Sequence, residues 1–380
     1  MLTQFNSYMK MRYRTVLLTA LTFFIVACNK EGDKKVDDCI DSHFFSEYSS
    51  RSFKMGFSTW AYAKRVEAVD STYLFIRDNS DIYSEHIDNN IPWNAWMNDL
   101  PLPDEFTNEI AARVSRRIVD KKLTVSVSLL NTSRNDLAPD FDGSVPEYSA
   151  LNDVEIAIAY FKHLQYIVSQ LNPDYLIIAI EVNELLMNAP DKWKGFKLLM
   201  ANVRTKIRQE YPSLKISESI TLHNLYQPDV VNPEGYINEV INYANTNDFV
   251  SISFYPYFKA LSTKAGFQDA FDFLHDRIDK PIAFAETGHL SENLIVDSYA
   301  IDISGNQCEQ NEYLEVLLSN AQEQKYEYVI WWAHRDYNEL WAEFPAEVRD
   351  IGKLWLSAGL INEDGIEKKA YSTWKNVFNN

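Results

Sequence analysis

The chain has 380 residues, with 36 Lys+Arg against 54 Asp+Glu and 46% hydrophobic residues. A formal charge of −18 excludes nucleic acid as a partner, because a polyanion is held first by cations on its phosphates. The 21 Phe, 22 Tyr and 9 Trp exclude a disordered chain, and the length allows one large barrel or two ordinary domains.

The first segment reads as targeting. Lys10, Arg12 and Arg14 precede an apolar run from Val16 to Val26. That run is too short for a membrane span of ~20 residues and has signal-peptide length. It ends Ile25-Val26-Ala27-Cys28, which resembles a bacterial lipobox. The expectation is a lipoprotein signal peptide over 1–27 and lipidation of Cys28. The chain would then be exported and anchored by lipid to a membrane of the bacterial cell envelope, on its periplasmic or cell-surface face. An ordinary signal peptide with an incidental cysteine is the alternative. Residues 28–50 read as a solvated tether, with Lys30, Glu31, Asp33, Lys34, Lys35, Asp37 and Asp38 close together. Cys39 and Cys308 either bridge or stay as free thiols, a choice that sequence alone leaves open.

Residues 51–380 read as one domain in which short β-type runs alternate with amphipathic helices. Strands are expected at 54–59, 81–87, 123–130, 175–182, 215–221, 249–255, 282–285 and 328–332. The run Thr72-Tyr73-Leu74-Phe75-Ile76 could be a further strand, but helix is preferred because one strand is needed midway between the first and third. Trp193, Phe196, Leu199, Val203 and Ile207 repeat at helical spacing, as do Val154, Ala157, Phe161, Leu164, Val168 and Leu171. Pro173 and Pro212 follow those two stretches, where proline commonly stops a helix. Alternating strand and helix implies parallel strands, and eight units predict an α/β fold, a single (β/α)8 TIM barrel. No GxGxxG or phosphate loop marks an open nucleotide-binding sheet.

Functional groups of such a barrel sit at the C-terminal ends of its strands. The fourth strand is expected to end at Asn183-Glu184, and the seventh at Glu286-Thr287-Gly288. The sixth ends Ser253-Phe254-Tyr255-Pro256-Tyr257, and the eighth Trp331-Trp332-Ala333-His334. Two carboxylates with aromatic neighbours suit glycoside hydrolysis, where one acid protonates the leaving group and the other attacks the anomeric carbon or activates water. Glu184 and Glu286 are the candidate pair. Tyr255 is a candidate donor to Glu286, and Asn183 a candidate ligand of the sugar 2-hydroxyl. Trp331 or Trp332 offers a flat face for a pyranose, and strand alternation lets only one of them face the site. Glu181 is a competing carboxylate, placed by the same alternation on the face of Asn183 and read as a barrel-interior or supporting group. His86, Trp93, Asn131, Arg134 and His289 are further candidate substrate contacts, each also readable as packing. The histidines lack ligand spacing, so no metal and no cofactor is expected, and neither GxSxG nor HExxH occurs.

Asn-Glu after strand four, Tyr-Pro after strand six, Glu-Thr-Gly after strand seven and Trp on strand eight together resemble clan A of the retaining (β/α)8 glycosidases, the 4/7 superfamily. The resemblance spans roughly residues 53–378. It implies Glu184 as acid/base, Glu286 as nucleophile, and a β-linked poly- or oligosaccharide as substrate. The Phe-Tyr-Pro and Glu-Thr-Gly segments are similar to those of the arabinogalactan endo-β-1,4-galactanases of glycoside hydrolase family fifty-three. Val182 stands where that family's Gly-Asn-Glu has glycine, and Leu130-Asn131-Thr132-Ser133-Arg134 departs from its His-Tyr-Ser-Asp run. The other class of function open to such a chain is a glycan-binding surface lipoprotein whose barrel no longer catalyses.

Overall fold

The structure, a computed structural model, describes residues 50–88 and 90–379. The signal peptide, Cys28, Cys39 and the tether up to residue 49 lie outside the described residues.

The barrel opens with β1 (Lys54–Ser58), α1 (Val66–Asn79) and β2 (Ile82–Ile87), then α2 (Trp93–Asn98) and α3 (Asp104–Ser115). β3 (Lys122–Val127) leads through a long loop to α4 (Val154–Leu171). β4 (Tyr175–Ile177) is followed by α5 (Asn183–Asn188) and α6 (Trp193–Glu210). The fifth strand comes in two halves, β5 (Lys215–Ser217) and β6 (Ser219–Thr221), ahead of α7 (Leu222–Tyr226) and α8 (Pro233–Ala244). Next come β7 (Val250–Phe254), α9 (Lys264–His275) and β8 (Ile282–Thr287). A hairpin of β9 (Leu294–Val296) and β10 (Ile301–Ile303) precedes α10 (Gln307–Glu323). β11 (Tyr328–Trp331), α11 (Asn338–Ala342), α12 (Ala346–Gly352) and α13 (Lys369–Phe378) complete the chain.

The main sheet runs β5-β4-β3-β2-β1-β11-β8-β7-β6, with parallel pairing throughout. Its two outer strands, β5 and β6, are one run of chain parted only by Glu218. The split strand therefore joins both margins of the sheet, and the eight strand positions form the (β/α)8 barrel expected from the sequence. The split has a local cause: the buried Glu218 side chain reaches Arg204 of α6, 3.5 Å away, instead of following the strand. The 72–76 run is helical, as preferred. In α1 it buries Ala68, Val69, Thr72, Tyr73 and Ile76 at spacings of one, three and four, the pattern of one helix face.

Alternation along the strands sorts the core into two layers. Ile82, Tyr175, Ile177, Phe249, Ala283, Ala285, Tyr328 and Ile330 fill the barrel interior as one cluster. Their neighbours Tyr83, Leu176, Val250, Ile252, Phe284 and Val329 join the larger core beneath the helices. Each large side chain so buried contributes ~1.5–3 kcal/mol relative to exposure.

Two irregularities change which residues face the mouth. Strand four is regular only over Tyr175–Ile177; beyond it Ile178, Ala179 and Val182 still bond to strand five, but Glu181 takes a left-handed φ of 54° just before α5. That turn breaks the alternation which had placed Glu181 and Asn183 on one face. In β8, Phe284 lies opposite Ile252 but Glu286, not Ala285, lies opposite Ser253. The extra residue is a β-bulge, and it turns Glu286 into the mouth instead of toward the helices.

Cys308, in the first turn of α10, is disulfide-bonded to a partner outside the described residues. No described helix is long and apolar enough to cross a membrane.

Candidate active site

Glu286 is placed by the bulge among side chains from two neighbouring strand positions and one across the barrel. Ser253, the last inward residue of β7, has its hydroxyl oxygen 3.1 Å from Glu286 Oε1. Tyr255, one inward position further, has its phenol pKa raised by burial and by the charge of this carboxyl. His86, inward on β2, sets Nδ1 3.5 Å from Glu286 Oε2. Burial raises the Glu286 pKa to about 7, assisted by the nearby Glu181 charge and opposed by His86 and Ser253.

The carboxyl nearest to it through a shared partner is Glu181. Ser253 Oγ is 2.9 Å from Glu181 Oε1, so Ser253 touches both glutamates. The two oxygens therefore lie no farther apart than the combined contacts, about 6 Å. Arg134 reaches Glu181 Oε2 from the loop after β3 at 3.1 Å, and clamps Asp88 with two nitrogens at 3.1 and 3.3 Å. Burial by itself would raise Asp88, but Arg134 and His86 outweigh it and hold its carboxyl well below the usual range. For His86 the balance is reversed: burial lowers its pKa, and Asp88 and Glu286 more than compensate.

Glu184 is held against strand five, close enough to Glu181 and Arg134 to feel both charges. Its Oε1 accepts hydrogen bonds from Thr221 Oγ1 at 2.5 Å and Asn224 Nδ2 at 2.6 Å, both at the end of strand five. Burial raises its pKa against the pull of those two donors. Asn183 needs correction. It is fully buried. Its amide donates to Thr221 and the Tyr236 hydroxyl, and its Oδ1 accepts from Thr221 N. Both amide hydrogens are engaged and the side chain is closed off from the mouth, so it is not presented to a sugar hydroxyl.

On the opposite side the wall is aromatic. Trp332 faces inward and meets Trp60 at 5.4 Å between centroids, with His86 edge-on at 5.2 Å. Trp355 closes toward Tyr255 at 5.9 Å. Trp331 points the other way, fully buried, its indole donating to Ala358 O at 2.7 Å. Three further expectations are corrected by burial or local bonding. Trp93 is core, bonded to Ala138 O at 2.7 Å. His289 is packed among Phe267, Tyr257 and Tyr313, and burial pushes its imidazole down to about 4. Asn131 bonds Asn135 within its own turn. His86, Arg134, Tyr255 and Trp332 do come together around Glu286.

Sequence reasoning did not select Ser253, Asp88 or Trp60. Ser253 carried a signal in hindsight, because it sits two residues before Tyr255 and alternation gives them the same face. Trp60 follows β1 at its C-terminal end, the position that should have drawn notice. Among the described residues no cluster of three or more His, Cys, Asp or Glu is arranged to hold a metal ion.

The sequence matches no family profile and no curated protein. Its fold is similar to that of solved structures. A GH5_18 protein from Bifidobacterium longum subsp. infantis has a TM-score of 0.62 at 14% identity, over 87% of this chain and 79% of that one. The GH53 catalytic domain from Ignisphaera aggregans has 0.54 at 14%, over 88% and 92%. An exo-β-1,4-mannosidase from Opitutaceae bacterium strain TAV5 has 0.59 at 10%, over 86% and 59%. At such identities the likeness is one of fold: a (β/α)8 barrel shared with solved structures of several glycoside hydrolase families.

Proposed function

We propose that the protein is a glycoside hydrolase acting with retention on a β-linked poly- or oligosaccharide, with Glu286 as nucleophile and Glu181 as acid/base. One observation carries the reading: two carboxyls at the mouth of the barrel, joined through Ser253 with facing oxygens no more than about 6 Å apart. Retaining enzymes hold their carboxyls ~5–5.5 Å apart, whereas inverting ones leave ~6.5–9.5 Å for a water. The resemblance of strand ends assigns the roles, β8 supplying the nucleophile and the end of strand four the acid. Glu181 takes the place expected of Glu184 in this reading because it shares the Ser253 hydroxyl with Glu286. Export, lipidation of Cys28 and attachment to the cell envelope belong to the same proposal and rest on residues 1–28 alone.

Attack by Glu286 on the anomeric carbon would form a glycosyl ester while Glu181 gives its proton to the departing oxygen. Glu181 would then take a proton from the water that releases the sugar. Tyr255 would donate to Glu286 from the position above Ser253, and Trp332, packed against His86, would offer its face to the apolar side of a pyranose.

The test is hydrolysis of a panel of β-linked plant and microbial glycans by the purified protein. Release of sugar from one of them supports the reading. Silence across the panel, with binding to one glycan on an affinity gel, would instead favour the non-catalytic glycan-binding protein. The charge of the site sharpens the panel. Asp88, Glu181, Glu184 and Glu286 face one arginine and one histidine, so a uronic acid at the reacting position meets repulsion. An aryl uronide should be cleaved at least ~10-fold less efficiently than its neutral counterpart, since one unfavourable charge contact costs on the order of 1–2 kcal/mol. Equal kcat/KM for the two would contradict this charge argument.

A further inference from the structure

We infer that Ser253 is the positioning residue that carries one shared proton between Glu286 and Glu181, so that the pair is set for catalysis by moving a proton rather than by taking one from water. The inference rests on the proposed assignment of those two glutamates. It begins from hydrogen-atom bookkeeping: a serine hydroxyl owns a single hydrogen. Ser253 Oγ nevertheless lies 2.9 Å from a carboxyl oxygen of Glu181 and 3.1 Å from one of Glu286. With both carboxyls ionised, one of these contacts would be two lone pairs facing each other inside the barrel, where Ser253 is fully buried. One glutamate must therefore donate to Ser253 while Ser253 donates to the other.

The surroundings say which. Glu181 has the Arg134 guanidinium against it at 3.1 Å, and Glu286 has no guanidinium, only the weaker partners His86 and Tyr255. In the free protein the proton sits on Glu286, consistent with burial raising that carboxyl to about 7. Catalysis needs the opposite arrangement, an ionised nucleophile and a protonated acid. The chain Glu286 Oε1–H to Ser253 Oγ–H to Glu181 Oε1 supplies it. The Glu286 proton moves to Ser253 as the Ser253 proton moves to Glu181, so one O–H bond breaks and one forms at serine and the net charge of the pair is unchanged. Positive charge developing on the sugar above Glu286 favours the anion there and draws the shift in that direction. The other ionisable groups facing the pair are His86 and Asp88 from the β2 side, Arg134 from the loop after β3, Glu184 from α5, and Tyr255 and Tyr257 after β7. None of them touches both glutamates through one atom.

The experiment compares the parent with Ser253→Ala and Ser253→Thr, the latter keeping a hydroxyl on a branched side chain suited to a strand. In protein labelled with 13C at the glutamate carboxyl carbons, the Glu286 step near neutrality should be sensed at the Glu181 resonance of the parent. Resonances are assigned with Glu181→Gln and Glu286→Gln. In Ser253→Ala the protonated Glu286 loses the oxygen it donates to and Glu181 loses its donor, so the Glu286 step should be displaced by about one pH unit, the worth of one hydrogen bond to a charged group, and Glu181 should no longer follow it. On the responsive glycan, kcat/KM of Ser253→Ala should fall ~10-fold or more and its alkaline limb should be displaced by about the same unit. Ser253→Thr should restore both. Parent resonances that titrate independently, or a Ser253→Ala protein whose titration matches the parent, would overturn the relay, as would a loss of rate with the alkaline limb unmoved. Coupled titration in a protein that hydrolyses no glycan would keep the shared proton and reject the proposed hydrolysis instead.

Discussion

Glu286→Gln and Glu181→Gln should each lower kcat/KM on the responsive glycan by at least ~10³-fold, and Glu184→Gln by no more than ~10-fold. The first removes the atom that bonds to the sugar. The second removes the proton donor, so its deficit should shrink on a substrate with an acidic phenol as leaving group, which departs without help; the Glu286 deficit should persist there. Glu184→Gln keeps an oxygen to accept from Thr221 and Asn224, and alters only a neighbouring charge. Unchanged circular dichroism in all three variants separates chemistry from folding. If Glu184→Gln were as damaging as Glu286→Gln and Glu181→Gln harmless, the acid would be the Asn-Glu glutamate after all.

Lys368→Met should destabilise the fold by ~3–5 kcal/mol, measured as a shift of the urea midpoint at constant m-value. The ammonium of Lys368 and the carboxyl of Asp336 are both buried and 2.6 Å apart. Lys368 also donates to Ser291 Oγ at 2.7 Å and Ser357 O at 3.2 Å, while Asp336 accepts from Gly359 N at 2.9 Å. The pair ties the segments after β8 and β11 to the start of α13, and those segments carry Trp332 and Trp355. Removing the lysine strands a carboxylate in the interior, which costs far more than the net worth of the pair. Burial already raises Asp336 to about 7 against the pull of Lys368, so without that pull it rises further. The sign follows: a carboxyl whose folded pKa is raised favours the fold at low pH and loses that contribution as pH climbs through the folded value. The penalty in Lys368→Met should therefore be largest above pH 7 and shrink toward pH 5. A loss below ~1 kcal/mol at pH 8 would show that the pair contributes little.

The barrel was legible because its strands are apolar runs separated by helices of regular period, a pattern that local sequence carries. Even the ambiguous 72–76 run resolved correctly once strand spacing was considered. The site was legible only where alternation held. His86, Tyr255 and Trp332 are inward residues of regular strands or their direct continuations, and they sit where parity puts them. Glu286 arrives in the mouth by a bulge, which hydropathy does not reveal; its motif found it when parity would not have. At the end of strand four the same counting failed, because the left-handed backbone at Glu181 lets that side chain reach Ser253 while Asn183 and Glu184 bond to Thr221 at the end of strand five. A glutamate in that conformation carries no sequence mark of the kind glycine provides. Ser253 was overlooked for another reason: its importance comes from touching two residues 72 and 33 positions away, a relation only the closed barrel creates.

The most direct test of the two-glutamate account is covalent trapping. The protein is incubated with activated 2-deoxy-2-fluoro-β-glycosides of glucose, galactose and mannose, and the labelled residue is located by peptide mass mapping. The account predicts one sugar per chain with at least one of the three, attached to the Glu286 carboxyl, and no adduct in Glu286→Gln. An adduct on Glu181 or Glu184, or hydrolysis of a natural glycan with inverted anomeric configuration, would contradict it.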